Sequence, residues 1–148
     1  MIISRTPLRI SFLGGSTDYP QWYNTHGGAV LATSIDKYCY VMLHNGKSWY
    51  TFDLPNKSGL ASSSAYTVGL LRVCSELTNR DIASIATIWE QDKTGGMVGS
   101  QDQFINRSAH DGVMLYIFRK FQILFKNFCK TLNFRFLIEI FSMKNTFH

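Results

Sequence analysis

The chain has 148 residues, enough for one domain with a real core, and its 45% hydrophobic content is ordinary for a soluble protein. No apolar run approaches the ~20 residues of a membrane span, Arg5 and Arg9 interrupt the apolar start where a signal peptide would stand, and Cys39, Cys74 and Cys129 make no CxxC pair or disulfide framework, which together predict a reducing, cytoplasmic setting. The net charge of +5 does not point to nucleic acid, because residues 1–117 carry nine Lys/Arg and nine Asp/Glu and the whole excess lies in residues 118–148.

In chain order, Leu8, Ile10 and Phe12 alternate with Arg9 and Ser11, the pattern of a half-buried strand. The cluster GGSTDYP follows as a turn. Val30 to Leu43 is apolar and β-branched enough for one or two strands, with a break near Asp36 and Lys37. SWYTFDLP alternates again and stops at Pro55. Val68, Leu71, Cys74 and Leu77 then recur at helical spacing. Asp81 is read as the N-cap of a second helix that buries Ile82, Ile85 and Trp89 and carries Glu90 at its far end. GGMVGSQDQ reads as loop. The four histidines show no ligand spacing, and there is no internal repeat.

The stretch LPNKSGLASSSAYTVGLL sets one glycine and four serines before an apolar helical run. A serine could cap the helix, the commonest use of serine at such a place. Alternatively, Gly59 lets the backbone approach a ligand, and Ser62, Ser63 and Ser64 add hydroxyls to a helix N-terminus that already attracts anions. GxxxxGK[ST] is absent, so this is not a Walker loop.

Three segments occur in order: TPLRISFLGGSTDYP, then LPNKSGLASSSA, then a Glu-Gln pair followed by VGSQDQ. Together they resemble the motifs of the GHMP sugar and metabolite kinases, and within that family most resemble the bacterial D-glycero-D-manno-heptose 7-phosphate kinases. The likeness covers Met1 to about Leu43 and about Asp53 to Gln103. It implies an α+β fold, the ribosomal protein S5 domain 2-like N-terminal domain with helices packed on a mixed β-sheet. It also implies ATP and Mg2+. On this likeness Gly59, Leu60, Ala61, Ser62, Ser63, Ser64 and Ala65 form the phosphate loop. Ser63, or its neighbour Ser62, holds magnesium with Glu90. Asp102 is the base that takes the proton of the attacking sugar hydroxyl, and Arg9 steadies Asp102 or the transferring phosphoryl group. Asp18, with Gly14 and Gly15, binds the sugar. Positioning and charge stabilisation are the main demands of phosphoryl transfer, which suits this division of labour.

Each residue also has a plainer reading: Arg9 on the solvent face of a strand, Asp18 as a turn residue, Glu90 at a solvated helix end, Asp102 in a loop. The sequence departs from the family as well. Ala61 replaces the second glycine of a GLGSS pattern, a cost if its φ is positive. Ser16 replaces a third glycine. Only HNGKSWYTF stands between Leu43 and Asp53, where the family has several dozen residues, and nothing in residues 118–148 resembles the family's C-terminal domain.

Composition breaks near Phe118: residues 118–148 hold eight of the eleven phenylalanines and no glycine or proline. Residues 1–117 are therefore read as a partial ATP-binding domain and 118–148 as a basic, Phe-rich tail without family resemblance. In the tail Phe118, Phe121, Phe125, Phe128 and Leu132 fall at helical spacing, so a membrane- or partner-binding amphipathic helix is one reading. Others are stacking on single-stranded nucleic acid, a core-facing helix, or a stretch not selected to fold. The last is preferred, because charge, Phe and Gly content all change together where the likeness ends; neither nucleic acid nor membrane contact is expected. The activity so implied is transfer of the ATP γ-phosphoryl to a sugar phosphate, a heptose 7-phosphate at its anomeric hydroxyl, by a chain that alone retains little or no turnover. A galactose- or fucose-type sugar-1-kinase, or a non-catalytic remnant with a binding tail, stays open, and the oligomeric state is not legible.

Overall fold

The computed structural model describes residues 1–55, 58–95 and 98–106, together with the backbone of strands at Val113–Phe118 and Leu137–Phe141. The elements are β1 (Ile2–Leu13), α1 (Pro20–His26), β2 (Gly28–His44), β3 (Lys47–Phe52), α2 (Ser62–Cys74), α3 (Asn79–Thr94), α4 (Gln101–Asn106), β4 (Val113–Phe118) and β5 (Leu137–Phe141). They form one five-stranded mixed sheet with helices against it, the α+β arrangement expected. The long strand β2 pairs antiparallel with β1 along one side. Its other side is shared by β3, on Cys39–His44, and β4, on Gly28–Thr33. Strand β5 lies parallel to β4. It comes from the segment read as a tail; Phe118 ends β4, and Phe121, Phe125, Phe128 and Leu132 lie outside the described residues.

The break expected near Asp36 and Lys37 is a bulge inside one continuous strand. Pro7 pairs with Tyr38 and Leu8 with Ile35, so Asp36 and Lys37 are the extra residues, and both are exposed. Leu8 is buried, but Ile10 is 37% and Phe12 53% exposed, so the expected apolar face is not continuous. Arg9 and Ser11 instead turn toward α4, bonding Asp102 and Gln101. Strand residues alternate between faces, so with Arg9 and Ser11 directed at α4 the apolar Ile10 and Phe12 are left on the other side.

A two-residue turn, Asn45-Gly46, joins β2 to β3, both residues with positive φ (49° and 72°). This is the conformation that Asn-Gly favours in a tight hairpin. The alternation of SWYTF does not make β3 half-buried: Trp49 is 48% and Tyr50 55% exposed. Tyr50 packs instead against Tyr66 of α2, at a ring distance of 4.8 Å.

Helix α2 sits on the sheet through Ala65 and Val73, which join Leu8, Cys39 and Val41. Gly69 permits the approach, since a Cβ there would lie 2.9 Å from Val41 Cγ2 and 3.0 Å from Thr6 Oγ1. Val68 and Leu71 meet Ile82 and Ala86 of α3. The expected stripe stops early, because α2 ends at Cys74, leaving Cys74 exposed and Leu77 40% exposed. Helix α3 is capped by Thr78, whose side chain accepts from the Asp81 N–H, so Asp81 lies in the first turn and is not the N-cap. The two side chains also bond each other at 2.6 Å. Ile82 is buried, whereas Trp89 is 44% exposed beneath Lys93. The segment read as loop contains α4, whose residues Gln101, Gln103, Phe104, Ile105 and Asn106 are buried. Phe104 and Ile105 pack with Tyr23, Val30, Ala32 and Ala83, and that burial accounts for a helix in a run with weak propensity.

Cys39 is buried, which pushes its thiol up to about 12, and Cys74 is also free. Among the described residues no helix is long and apolar enough to cross a membrane.

Candidate active site

A cavity of about 340 Å³ opens where β1, the β1–α1 loop, α2, α3 and α4 converge. Strand β1 supplies Arg9, the loop after it Gly15, Ser16 and Asp18, and the first turn of α2 Ser63 and Ser64. Glu90 comes from α3, Gly99 from the loop before α4, and Gln101 and Asp102 from the first turn of α4. Residues far apart in sequence thus meet: Arg9 Nε donates to Asp102 Oδ1 at 2.6 Å, and Nη2 lies 2.5 Å from the same oxygen.

Of the phosphate-loop candidates, only Ser63 and Ser64 line this cavity. Ala65 belongs to the core, and Leu60 packs against it while its carbonyl accepts from Arg9 N. Gly59 is exposed with φ 75°, and Ser62 is half-buried. Ala61 is the N-cap of α2 in the left-handed conformation (φ 58°, ψ 39°), with no side-chain cap. The capping reading of the serines is therefore overturned. All three stand inside the first turn, past the position from which a hydroxyl can cap, and Ala61 has no side chain with which to cap the N–H groups of that turn. The Ala61 carbonyl is tied down by Asn106 Nδ2 at 3.3 Å.

Ser64, not Ser63, touches Glu90. Its Oγ donates to Glu90 Oε2 at 2.8 Å, and Gln103 Nε2 donates to the same oxygen at 2.5 Å. Thr67 Oγ1 lies 3.0 Å from Oε1. Glu90 is 8% exposed and so is no solvated helix end. Thr67 and Gln103 escaped sequence reading. Thr67 follows Ser64 by three positions and so shares its helix face, a usable signal. Nothing local to Gln103 announces its part.

Asp18 is buried at 1% exposure. Its Oδ2 accepts from Gln101 N at 2.9 Å, and its Oδ1 has no partner. Burial raises its pKa, opposed first by the Gln101 N–H. Gly99 makes room, because a Cβ there would fall 1.9 Å from Asp18 Oδ2. Gly14 lies against the Ala29 carbonyl outside the cavity lining. The carboxyl of Asp102 is also pushed upward, chiefly by burial, with Arg9 opposing and Asp18 and Glu90 adding to the rise. Three carboxyl groups thus share the cavity with one guanidinium, and among the described residues no three His, Cys, Asp or Glu stand close enough to hold a metal ion by themselves.

The comparisons agree with this architecture. Residues 30–106 match the model of the GHMP kinases N terminal domain, slightly more than half of the chain. A D-glycero-D-manno-heptose 1-phosphate kinase from Bacteriodes thetaiotaomicron superposes with a TM-score of 0.64 at 20% identity, over 78% of this chain and 56% of that one. A Campylobacter jejuni protein described as a sugar kinase gives 0.56 at 20% identity, over 76% and 52%. At such identity the likeness establishes the fold, and the chain spans about half the length of either structure. No curated protein matches the sequence. With β2 through α4 matching the model of their N-terminal domain, the chain belongs to the GHMP kinases.

Proposed function

We propose that this cavity is the phosphoryl-transfer site of an ATP-dependent sugar kinase whose acceptor is D-glycero-D-manno-heptose 7-phosphate at its anomeric hydroxyl. The observation that carries the reading is the Arg9–Asp102 ion pair in one cavity with Glu90 and the uncapped first turn of α2. The donor set suits Mg2+, which takes one or two carboxylates and leaves its other positions to phosphate and water. Glu90 and the Ser63 hydroxyl would hold the ion, and its chemistry there is to neutralise charge on the phosphates. The ATP phosphates would lie against the free N–H groups of α2. Asp102 would accept the proton of the attacking hydroxyl, oriented by Arg9, and the unpartnered Asp18 Oδ1 would accept a hydrogen bond from a second sugar hydroxyl. ATP and sugar phosphates place such an enzyme in the cytoplasm.

The isolated chain is expected to bind Mg-ATP with little turnover, because the tight Asn45-Gly46 hairpin stands where the family has a longer segment flanking the nucleotide base. A thermal melt with and without saturating Mg-ATP tests the binding. Ligand at ~100 times its dissociation constant stabilises by roughly 2.7 kcal/mol, a rise of several degrees. An unmoved melt would sink the reading. Efficient turnover lost in Asp102→Asn would keep the site and overturn the expectation of a weak enzyme.

A further inference from the structure

Resting on the reading of this cavity as a Mg-nucleotide site, we propose that Thr67 and Gln103 are positioning residues. They hold the Glu90 carboxylate so that a single atom, Oε1, faces the divalent cation.

The argument is a count of lone pairs. A carboxylate oxygen accepts two hydrogen bonds in its plane. Glu90 Oε2 already receives Ser64 Oγ at 2.8 Å and Gln103 Nε2 at 2.5 Å, and is filled. Oε1 receives only Thr67 Oγ1 at 3.0 Å and keeps one position open. Thr67 has one hydroxyl proton and two acceptors in reach, since the Ser63 carbonyl lies 3.1 Å from its Oγ1. Its bond to Oε1 occupies one lone pair and leaves the second for a cation, so Thr67 holds the oxygen in place whether or not the ion is bound.

Gln103 fixes the other half of the carboxylate. Its Nε2 lies 2.5 Å from Glu90 Oε2 and 3.3 Å from Ser64 Oγ, and a flipped amide would set its carbonyl against the anion. The cost is visible, because Gln103 is fully buried and its Oε1 has no partner. A network that served only to fill the space between α2, α3 and α4 would leave no such orphan, which an apolar side chain avoids. The orphan is accounted for if the amide is there to aim Glu90.

The test compares the affinity of the 148-residue chain for ATP in excess Mg2+ with its affinity in EDTA, by calorimetry. The wild type is expected to prefer the metal-bound form. Thr67→Val and Gln103→Leu should reduce that preference by roughly tenfold or more, in the range that losing a partner of a metal ligand costs, while metal-free affinity stays within about twofold. Thr67→Ser, which keeps the hydroxyl, should restore the preference. Thr67→Val changes no heavy-atom count, so the Val/Ser pair decides the matter if Gln103→Leu fails to melt cooperatively. An unchanged preference, or equal loss with and without metal, overturns the proposal and leaves the site reading intact. A wild type that binds neither form overturns the site reading itself.

Discussion

Arg9 reaches Asp102 with two nitrogens, Nε and Nη2, and both fall on the same carboxylate oxygen, Oδ1. The pair links β1 to α4 across 93 residues of sequence. It leaves Oδ2 outside the ion pair, as the oxygen that would meet a substrate hydroxyl. The side chains are only 12% and 20% exposed, so removing one partner strands a charge in a poorly solvated place. Arg9→Leu and Asp102→Leu are each expected to cost about 2–4 kcal/mol, and the double substitution much less than their sum. Urea unfolding of the four proteins measures the coupling. Additive effects would show that the contact contributes little, as many ion pairs do.

Two non-glycine residues in the site region have left-handed backbones, Ser16 at φ 73° and Ala61 at φ 58°. An L-residue there suffers a contact between Cβ and the carbonyl that glycine avoids. Ala61→Gly and Ser16→Gly should each stabilise the fold by about 0.5–1 kcal/mol, or roughly 2–4 °C in a chain of this length. Thermal melts of the single variants check this. A fall in Tm at Ala61→Gly would mean that the entropy glycine adds to the unfolded chain outweighs the relief.

How far the sequence discloses this site follows from what its signals are made of. The sheet-and-helix order was legible because alternation and helical spacing are local, and Arg9, Asp18, Glu90 and Asp102 could be singled out by the motifs around them. The fate of the serines was not legible. Capping depends on which residue holds the extended backbone angle, and Ala61, with a left-handed backbone, took that position. The face of β1 past Leu8 was misread because α4, which draws in Arg9 and Ser11, comes from residues 93 and 90 positions further on, beyond the reach of any window on β1. Trp89 was assigned to the interior by spacing alone, yet α3 buries only the stripe that α2 and α4 leave room for, in which Ala83 and Ala86 are the small residues. Asp102 on a helix was missed for a similar reason, since α4 is held by contacts from the rest of the molecule.

The pH dependence of stability follows from Asp18. Its folded pKa is raised above the ordinary 3.8 by burial, so the folded form holds the proton more tightly than the unfolded chain does. Below pH 3.8 both states are protonated and there is no penalty. As pH rises from there through the folded pKa, the carboxylate must ionise in a site that disfavours it, and stability is lost. Asp18→Asn removes that ionisation and keeps an oxygen for the Gln101 N–H. The Tm difference, variant minus wild type, should therefore grow as pH rises above 3.8 and level off once the folded carboxyl has ionised. Scanning melts of both proteins over that range decide it. A difference that shrinks with pH would mean that hydrogen bonds to the charged form outweigh burial.

Gly99 supplies the sharpest steric test. Its missing side chain is what lets the Asp18 carboxylate lie against the start of α4, with Oδ2 at 2.9 Å from Gln101 N. A Cβ at Gly99 would sit 1.9 Å from that oxygen and 2.3 Å from the carboxyl carbon. Asp18 is buried at 1% exposure and has little space into which to retreat. Gly99→Ala should accordingly destabilise by about 1–3 kcal/mol, the usual consequence of overpacking. It should also free the Gln101 amide, whose hydrogen exchange would quicken beyond that of its α4 neighbours. Asp18→Gly in the Gly99→Ala background removes the colliding carboxylate, so the added methyl should then be nearly without cost. If the double variant is as unstable as the sum of the singles, the strain at Gly99 arises from its backbone and not from Asp18, and the carboxylate is held in place by other means.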